Sequence, residues 1–370
     1  MEINTRIYRN IDFDEPSRKN RIGFGGCAEV FKLQEKMTGK TYAIKILFED
    51  NQSQNFNDLF LSEIKIISQI EYPTLLGLQG ITIDDPLYII MEYMPNNTVH
   101  YYIDKAYKGD KDENWNLTHK MIIILGISFG MEYLHSMNIV HRDLKPLNVL
   151  LDSNFYPRIG DFGFSKIASN SKKLSSNIGT PIFSAPEQFG APNYDGKKAD
   201  VFSFGMTIYS ILYDKLPFEA EEVVFRLYER MKKGERPNLD EKVISKSMNE
   251  LISRCWNSAP EMRPNFKEIS EELLNEVREL IKKETINEEE ISYFVNEFCK
   301  RKENNQTINN SINNKNTINQ LLEEFEYEFI DQENPKQFSP LHYAVKKNAK
   351  KIGEILISKG ADVNAKDIIY

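Results

Sequence analysis

An α+β fold class follows from three observations on this 370-residue chain. Strand-like segments crowd the first 94 residues, helix-like segments prevail after them, and the composition breaks near residue 280. Taken in order, Ile22-Gly23-Phe24-Gly25-Gly26-Cys27-Ala28-Glu29-Val30 reads as a strand, a glycine-rich turn and a return strand that continues through Phe31-Lys32-Leu33. Tyr42-Ala43-Ile44-Lys45 alternates with the period of a strand. Residues 62–70 have helical spacing, with Glu63, Ile67 and Ile70 on one face, so that the carboxylate points inward with the apolar stripe. Leu87 to Met94 is the next strand. Met121 to Gly130 is the longest apolar run, too short to span a bilayer, and reads as a buried helix leading to Tyr133-Leu134-His135.

Bulk properties narrow the function classes. A formal net charge of −8 argues against general nucleic-acid binding. Cys27, Cys255 and Cys299 are dispersed, with no CxxC pair, which suggests neither a disulfide framework nor a zinc site. The N-terminus, Met1-Glu2-Ile3-Asn4-Thr5-Arg6, has no signal-like apolar core, and cytoplasmic residence, with the nucleus as an option, is expected. The acidity is uneven: residues 271–335 carry 16 acids against 7 Lys and Arg, a net of −9 that exceeds the whole chain's.

The densest chemistry lies in His141-Arg142-Asp143-Leu144-Lys145-Pro146-Leu147-Asn148, followed by Asp161-Phe162-Gly163. Phosphoryl transfer needs positioning and charge neutralisation more than covalent chemistry. Asp143 suits the orientation and deprotonation of a substrate hydroxyl, Asn148 and Asp161 offer oxygen ligands to a hard cation, and Lys145 can sit near the transferred group. A glycine-rich turn alone also suits a dinucleotide fold, but that fold requires a helix after the glycines, whereas Val30 to Leu33 is strand-like. The set resembles the protein kinases, and within them the tyrosine-kinase-like group of Ser/Thr type. Ala28 stands where the family's third glycine would be, a modest change for loop flexibility.

That resemblance implies a two-lobed fold, with a small antiparallel-sheet lobe carrying one prominent helix and a large helical lobe, and it implies ATP and Mg²⁺ as cofactors. Asp143, Lys145, Lys45 and Glu63 are the implied catalytic residues, with Lys45 on the α- and β-phosphates and Glu63 as its helix partner. Asn148 and Asp161 are the implied metal ligands. Nucleotide contacts are implied for Ile22, Gly23, Phe24, Gly25, Gly26, Cys27, Ala28, Val30, Ala43, Lys45, Met91, Glu92, Met94 and Leu150. Met91 would be the gatekeeper, the backbone of Glu92 and Met94 would bond adenine, and Val30, Ala43 and Leu150 would enclose the ring. Lys145 and Gly179-Thr180-Pro181 look like serine/threonine kinases, with tyrosine or dual specificity as the minority reading.

Further elements fit the same family. Gly179 to Glu187 resembles the end of an activation segment that starts at Asp161, and Glu187 is expected to pair with Arg263 inside the large lobe. Asp200 is expected to brace the backbone of the loop His141 to Asn148. Arg142 is a candidate receiver for an activation-loop phosphate, with Ser175 and Ser176 as the candidate phosphosites.

Domain limits follow: an N-terminal extension at 1–15, a kinase domain at 16–280 divided near 94/95, an acidic and Asn-rich linker at 281–335, and an ankyrin-like repeat at 336–370. Within the linker region a helical apolar rhythm runs from Glu271 to Lys300, while Asn304 to Asn319 reads as flexible. Ser339-Pro340-Leu341-His342-Tyr343-Ala344 resembles the ankyrin signature with Ser for Thr. One repeat cannot bury its own faces, so either the array continues or the repeat packs on the linker helices or on a protein partner. Protein substrates, and a partner bound through the ankyrin-like segment, are the expected interactions. The competing class is a pseudokinase scaffold; the presence of Lys45, Glu63, Asp143, Asn148 and Asp161 argues for catalysis.

Overall fold

The computed structural model describes residues 6–8, 10–24, 28–47, 64, 66–82, 88–110, 112–162, 165–167, 182–189, 193–218 and 224–296. Six strands form the N-terminal sheet: β1 (Arg6–Tyr8), β2 (Arg21–Phe24), β3 (Ala28–Gln34), β4 (Thr41–Leu47), β5 (Leu78–Thr82) and β6 (Tyr88–Glu92), in the order β1-β5-β6-β4-β3-β2. Strands β2 to β6 pair antiparallel. The period of two separates their side chains onto two faces. Tyr42 and Ile44 of β4, Tyr88 and Ile90 of β6, and Phe31 and Leu33 of β3 pack on the outer face. Ala43, Ile89 and Met91 face the main core, with Val30 packed against it.

Residues 6–8 and 10–15 are built into the lobe. β1 joins the sheet as a parallel edge strand on β5, and the chain then brings Phe13, 1% exposed, under the outer face. Tyr8 sits 5.2 Å from the Phe13 ring and 6.2 Å from that of Tyr42, centroid to centroid. The segment thus covers both an open strand edge and an apolar sheet face.

The second lobe is built on α1 (Val99–Tyr107), α2 (Leu117–Ser136), α3 (Gly196–Tyr213), α4 (Val224–Lys232), α5 (Lys246–Cys255) and α6 (Phe266–Lys282). Asn116 caps α2 by accepting from the His119 amide, and Asn265 with Glu268 forms a reciprocal capping box on α6. α2 and α3 are apolar around most of their circumference and form the centre of the lobe. By length and composition α2 is apolar enough to cross a membrane, yet most of it is buried inside this lobe. α6 is one-sided, burying Phe266, Ile269, Leu273 and Val277.

Short strand pairs sit beside α2: β7 (Ile139–Val140) with β10 (Lys166–Ile167), and β8 (Val149–Leu151) with β9 (Pro157–Ile159). Gly126 and Gly130, one turn apart on α2, make the seat for β9. A Cβ on Gly126 would lie 2.3 Å from Pro157 Cγ, and one on Gly130 would lie 3.0 Å from Ile159 Cδ1. Four residues of helix and two of strand both advance by roughly 6–7 Å, so the two glycines match alternate strand side chains.

Beyond α6 the chain turns through Glu284, whose φ is 55°, into a final helix at residues 288–296, α7. Ile286, Ile291 and Phe294 enter the main core. The Asn287 amide donates to Thr118 Oγ1 at 2.9 Å, and Phe294 meets Tyr156 edge-on at 4.9 Å. The start of the region read as linker is therefore folded onto α2.

Candidate active site

Strand alternation sets the roof of the interlobe cleft. Lys45 shares a sheet face with Ala43, and its register partner in β3 is Val30. A Cβ on Gly23 would press to 3.3 Å on Val30 Cβ, so glycine there lets β2 lie close over β3. Met91 is opposite Ala43 in β6, Met94 is buried just beyond the strand, and Glu92 is exposed. From the other lobe Leu150 packs against the same core as Val30. Ile22 and Phe24 are exposed on β2, and Ala28 is buried.

The floor is the segment His141–Asn148, held by a carboxylate from another element. Asp200 of α3 accepts the His141 amide on Oδ2 and the Arg142 amide on Oδ1, both at 2.8 Å, and is 2.9 Å from His135 Nε2. These contacts hold Arg142 at a φ of 72°, a left-handed turn that non-glycine residues seldom adopt. Asp143 follows, 4% exposed. Lys145 Nζ donates to its Oδ2 at 2.7 Å, and Asn148 Nδ2 donates to the Asp143 carbonyl at 2.8 Å and to Oδ2 at 3.1 Å. The structure brings the predicted trio Asp143, Lys145 and Asn148 into one hydrogen-bonded unit.

Asp161 enters from the segment after β9. The Gly160 amide donates to the Asn148 carbonyl at 2.9 Å, which ties that segment to the floor. Asp161 takes φ 62° and accepts from Lys45 Nζ at 3.2 Å across the cleft. Its side chain is 41% exposed to the cleft while both lobes crowd it. That partial burial opposes the charged form, but the Lys45 ammonium, with help from His141 and Lys145, outweighs it and holds the carboxyl below its ordinary value.

The donor set suits a hard divalent cation. Asn148 commits its amide NH₂ to Asp143, which leaves its carbonyl oxygen as the ligand atom, and Asp161 keeps Oδ2 beside the oxygen that Lys45 engages. Among the described residues no group of three or more His, Cys, Asp or Glu forms a closed cage. One carboxylate and one amide fit a cation whose remaining ligands come from phosphates and water.

A residue-level comparison matches a protein kinase domain over residues 17–274. The chain belongs to the protein kinase family. An ankyrin-repeat model, described as three copies, matches residues 270–367, so ankyrin repeats follow the kinase domain. Among similar proteins, a dual specificity protein kinase, shkB, from Dictyostelium discoideum is 32% identical over 278 residues, which are 72% of this chain and 41% of that protein. Mitogen-activated protein kinase kinase kinase 7 from Drosophila melanogaster is 29% identical over 304 residues, 80% of this chain and 42% of its own length. Serine/threonine-protein kinase STY17 from Arabidopsis thaliana is 29% identical over 271 residues, with coverages of 73% and 46%. The chain spans less than half the length of each of these relatives.

The kinase domain also carries the expected buried pair. Arg263, with its side chain fully buried, donates to both Glu187 oxygens at 2.5 and 3.2 Å and to the carbonyls of Lys198 and Asn257. Arg236 lies beside it, and both guanidinium carbons are 5.0 Å from the Phe202 ring centroid. Burial, with repulsion from Arg263, lowers the Arg236 pKa to about 10.

Of the residues predicted from sequence, Glu63, Gly25, Gly26, Cys27, Ser175 and Ser176 lie outside the described residues, as does the whole ankyrin-like segment. Three contributors were absent from the sequence reading. His135 supports Asp200, the Tyr194 hydroxyl lies 3.4 Å from Arg142 Nε, and the Gly160 carbonyl is 3.1 Å from His141 Nε2. Gly160 immediately precedes Asp161 and was open to inspection. The other two become partners only through tertiary packing.

Proposed function

We propose that the chain is an active protein kinase that transfers the γ-phosphate of ATP to Ser or Thr hydroxyls of protein substrates, with Mg²⁺ as cofactor. The observation that carries this reading is the placement of Asp143, gripped by Lys145 and Asn148, below a cleft spanned by Lys45 and Asp161. Bound ATP with Mg²⁺ would supply the phosphoryl group and neutralise its charge. The Asp143 carboxylate is the base that orients a substrate hydroxyl and takes its proton, and Lys145, which donates to its Oδ2, stays close to the developing charge. Lys45 would position phosphate oxygens, and Asn148 Oδ1 with the Asp161 carboxylate would hold the cation.

Val30, Ala43 and Leu150 provide the apolar walls for adenine, with the backbone at Glu92 and Met94 as its polar anchors and Met91 at the back. The glycine-rich strand residues Ile22, Gly23 and Phe24 cover the phosphates. Regulation through a phosphate on Ser175 or Ser176, received by Arg142, belongs to the same reading. The ankyrin segment is assigned to protein-partner recognition. A dual-specificity reading has one finding in its favour, the name carried by the shkB relative.

The test compares wild type with Asp143→Asn in phosphate transfer from ATP-Mg²⁺ to a generic Ser/Thr protein substrate, followed by phosphoamino-acid identification. Loss of the base should lower turnover by roughly 10²–10⁴-fold. Equal, background-level signals from both proteins would favour the scaffold. Phosphotyrosine at levels comparable to phosphoserine and phosphothreonine would replace Ser/Thr specificity with dual specificity.

A further inference from the structure

We propose that Gln188 is a positioning residue for phosphoryl transfer, fixing the peptide plane that joins Arg142 to the base Asp143. The inference deepens the kinase reading and rests on it. Gln188 is 3% exposed, and both ends of its side-chain amide are bonded. Its Oε1 accepts from the Ala185 amide at 2.8 Å, and its Nε2 donates to the Arg142 carbonyl at 3.3 Å. A backbone N–H faces one end and a carbonyl faces the other, so the side-chain amide has a single satisfactory orientation.

The turn that carries Gln188 is a firm support. Pro186–Phe189 forms a 3-10 turn in which the Gln188 main-chain amide also donates to the Ala185 carbonyl, at 2.9 Å. Main chain and side chain of Gln188 thus close on the same residue. Its neighbour Glu187 is held by the buried Arg263.

Arg142 is the place where such a support matters. Backbone at a φ of 72° persists only where its surroundings over-determine it. The peptide plane before Arg142 is fixed through its N–H, which Asp200 Oδ1 accepts at 2.8 Å. The plane after it holds the Arg142 carbonyl and the Asp143 amide, and these turn together because the peptide unit is planar. Gln188 engages the carbonyl end, while the Asp143 amide lies a long 3.4 Å from His141 Nδ1. Lys145 and Asn148 grip Asp143 but belong to the same loop, so they supply no outside reference. Without Gln188, rotation about the Arg142 Cα–C bond would carry the Asp143 carboxylate out of line. Asp200 and Gln188 therefore divide the work, one plane each.

The experiment measures transfer to a generic Ser/Thr protein substrate by wild type, Gln188→Met, Asp143→Asn and the double variant, with rates normalised to ATP-binding-competent protein. Methionine keeps the length of glutamine and removes both polar ends. Gln188→Met should lower kcat by roughly 10–100-fold, as for a small misplacement of a reacting group, with KM for ATP within about twofold of wild type. In the Asp143→Asn background the same change should cost less than about threefold, because the group it positions is already lost. A merely structural role would cost the same in both backgrounds. An unchanged kcat, an equal fall in both backgrounds, or a fall accounted for by loss of ATP-binding protein overturns the inference and leaves the kinase reading intact. Absence of transfer by wild type overturns the kinase reading, and this inference with it.

Discussion

Replacing Gly126 with alanine sets two well-characterised effects against each other. In an exposed helix interior the change is favourable by about 1 kcal/mol, because glycine loses the most backbone freedom on folding. Gly126 lies near the middle of α2, so propensity alone predicts a more stable protein. The packing predicts the reverse. The new methyl would lie 2.3 Å from Pro157 Cγ, 3.2 Å from Pro157 Cδ and 3.3 Å from Phe294 Cζ. A proline ring in a paired strand cannot swing aside as a flexible side chain would, so β9 or α2 has to shift. Overpacking of this kind costs typically about 1–3 kcal/mol and sometimes more.

Because the contact is so short, the cost should lie at the upper end, giving a net loss of about 1–2 kcal/mol after the helix gain. For a domain of this size that lowers the thermal midpoint by roughly 2–8 °C. The assay is denaturant or thermal unfolding of wild type, Gly126→Ala, Pro157→Ala and the double variant. Trimming Pro157 removes the clash, so the double-mutant cycle should show a favourable coupling of about 1 kcal/mol or more. A Gly126→Ala protein as stable as wild type or more so, or a cycle without coupling, would refute the proposed seat for β9.

Two further outcomes follow from charges described above. Arg263→Met leaves the Glu187 carboxylate and two carbonyls without their buried donor, and should destabilise the kinase domain by about 3–5 kcal/mol in urea unfolding; a loss below about 1 kcal/mol would show that water replaces the arginine. Asp161 is held below its ordinary carboxylate value, 3.8, in the folded state. The native protein therefore binds fewer protons than the unfolded chain near that pH, and the contribution is complete above it and lost as pH falls through the depressed value. The stability advantage of wild type over Lys45→Met should be largest near neutrality and shrink on acidification, and a pH-independent difference would contradict the Lys45–Asp161 pairing.

The parts of the molecule legible in the sequence are those in which chemistry or periodicity acts within a few residues. Tyr42 to Lys45 announces a strand, and the period of two puts Lys45 on the cleft side with Ala43. The charged residues of the floor declare themselves because few other arrangements of Asp, Lys and Asn have that spacing and purpose. The Glu187 and Arg263 pair was expected only through family resemblance, since 76 residues separate its members. What stayed hidden depends on distant partners. β1 is three residues long, too short for alternation to register, and its partner β5 lies more than 70 residues away. Gly126 and Gly130 look like blemishes in an apolar helix until Pro157 and Ile159 are placed against them. Ile286, Ile291 and Phe294 are sparse among glutamates, so composition pointed to a solvated connector even though each of the three is buried.

The docking of α7 also alters what the ankyrin repeats are attached to. A module joined through a slack connector samples a large volume, and motion in it reaches the enzyme only weakly. Here the last described helix is pinned to α2 and to Tyr156, the residue that leads into β9, and β9 ends two residues before Asp161. Whatever is joined after residue 296 starts from an anchored root. A partner that pulled or twisted that root would load Phe294 first and then the strand that ends beside Asp161.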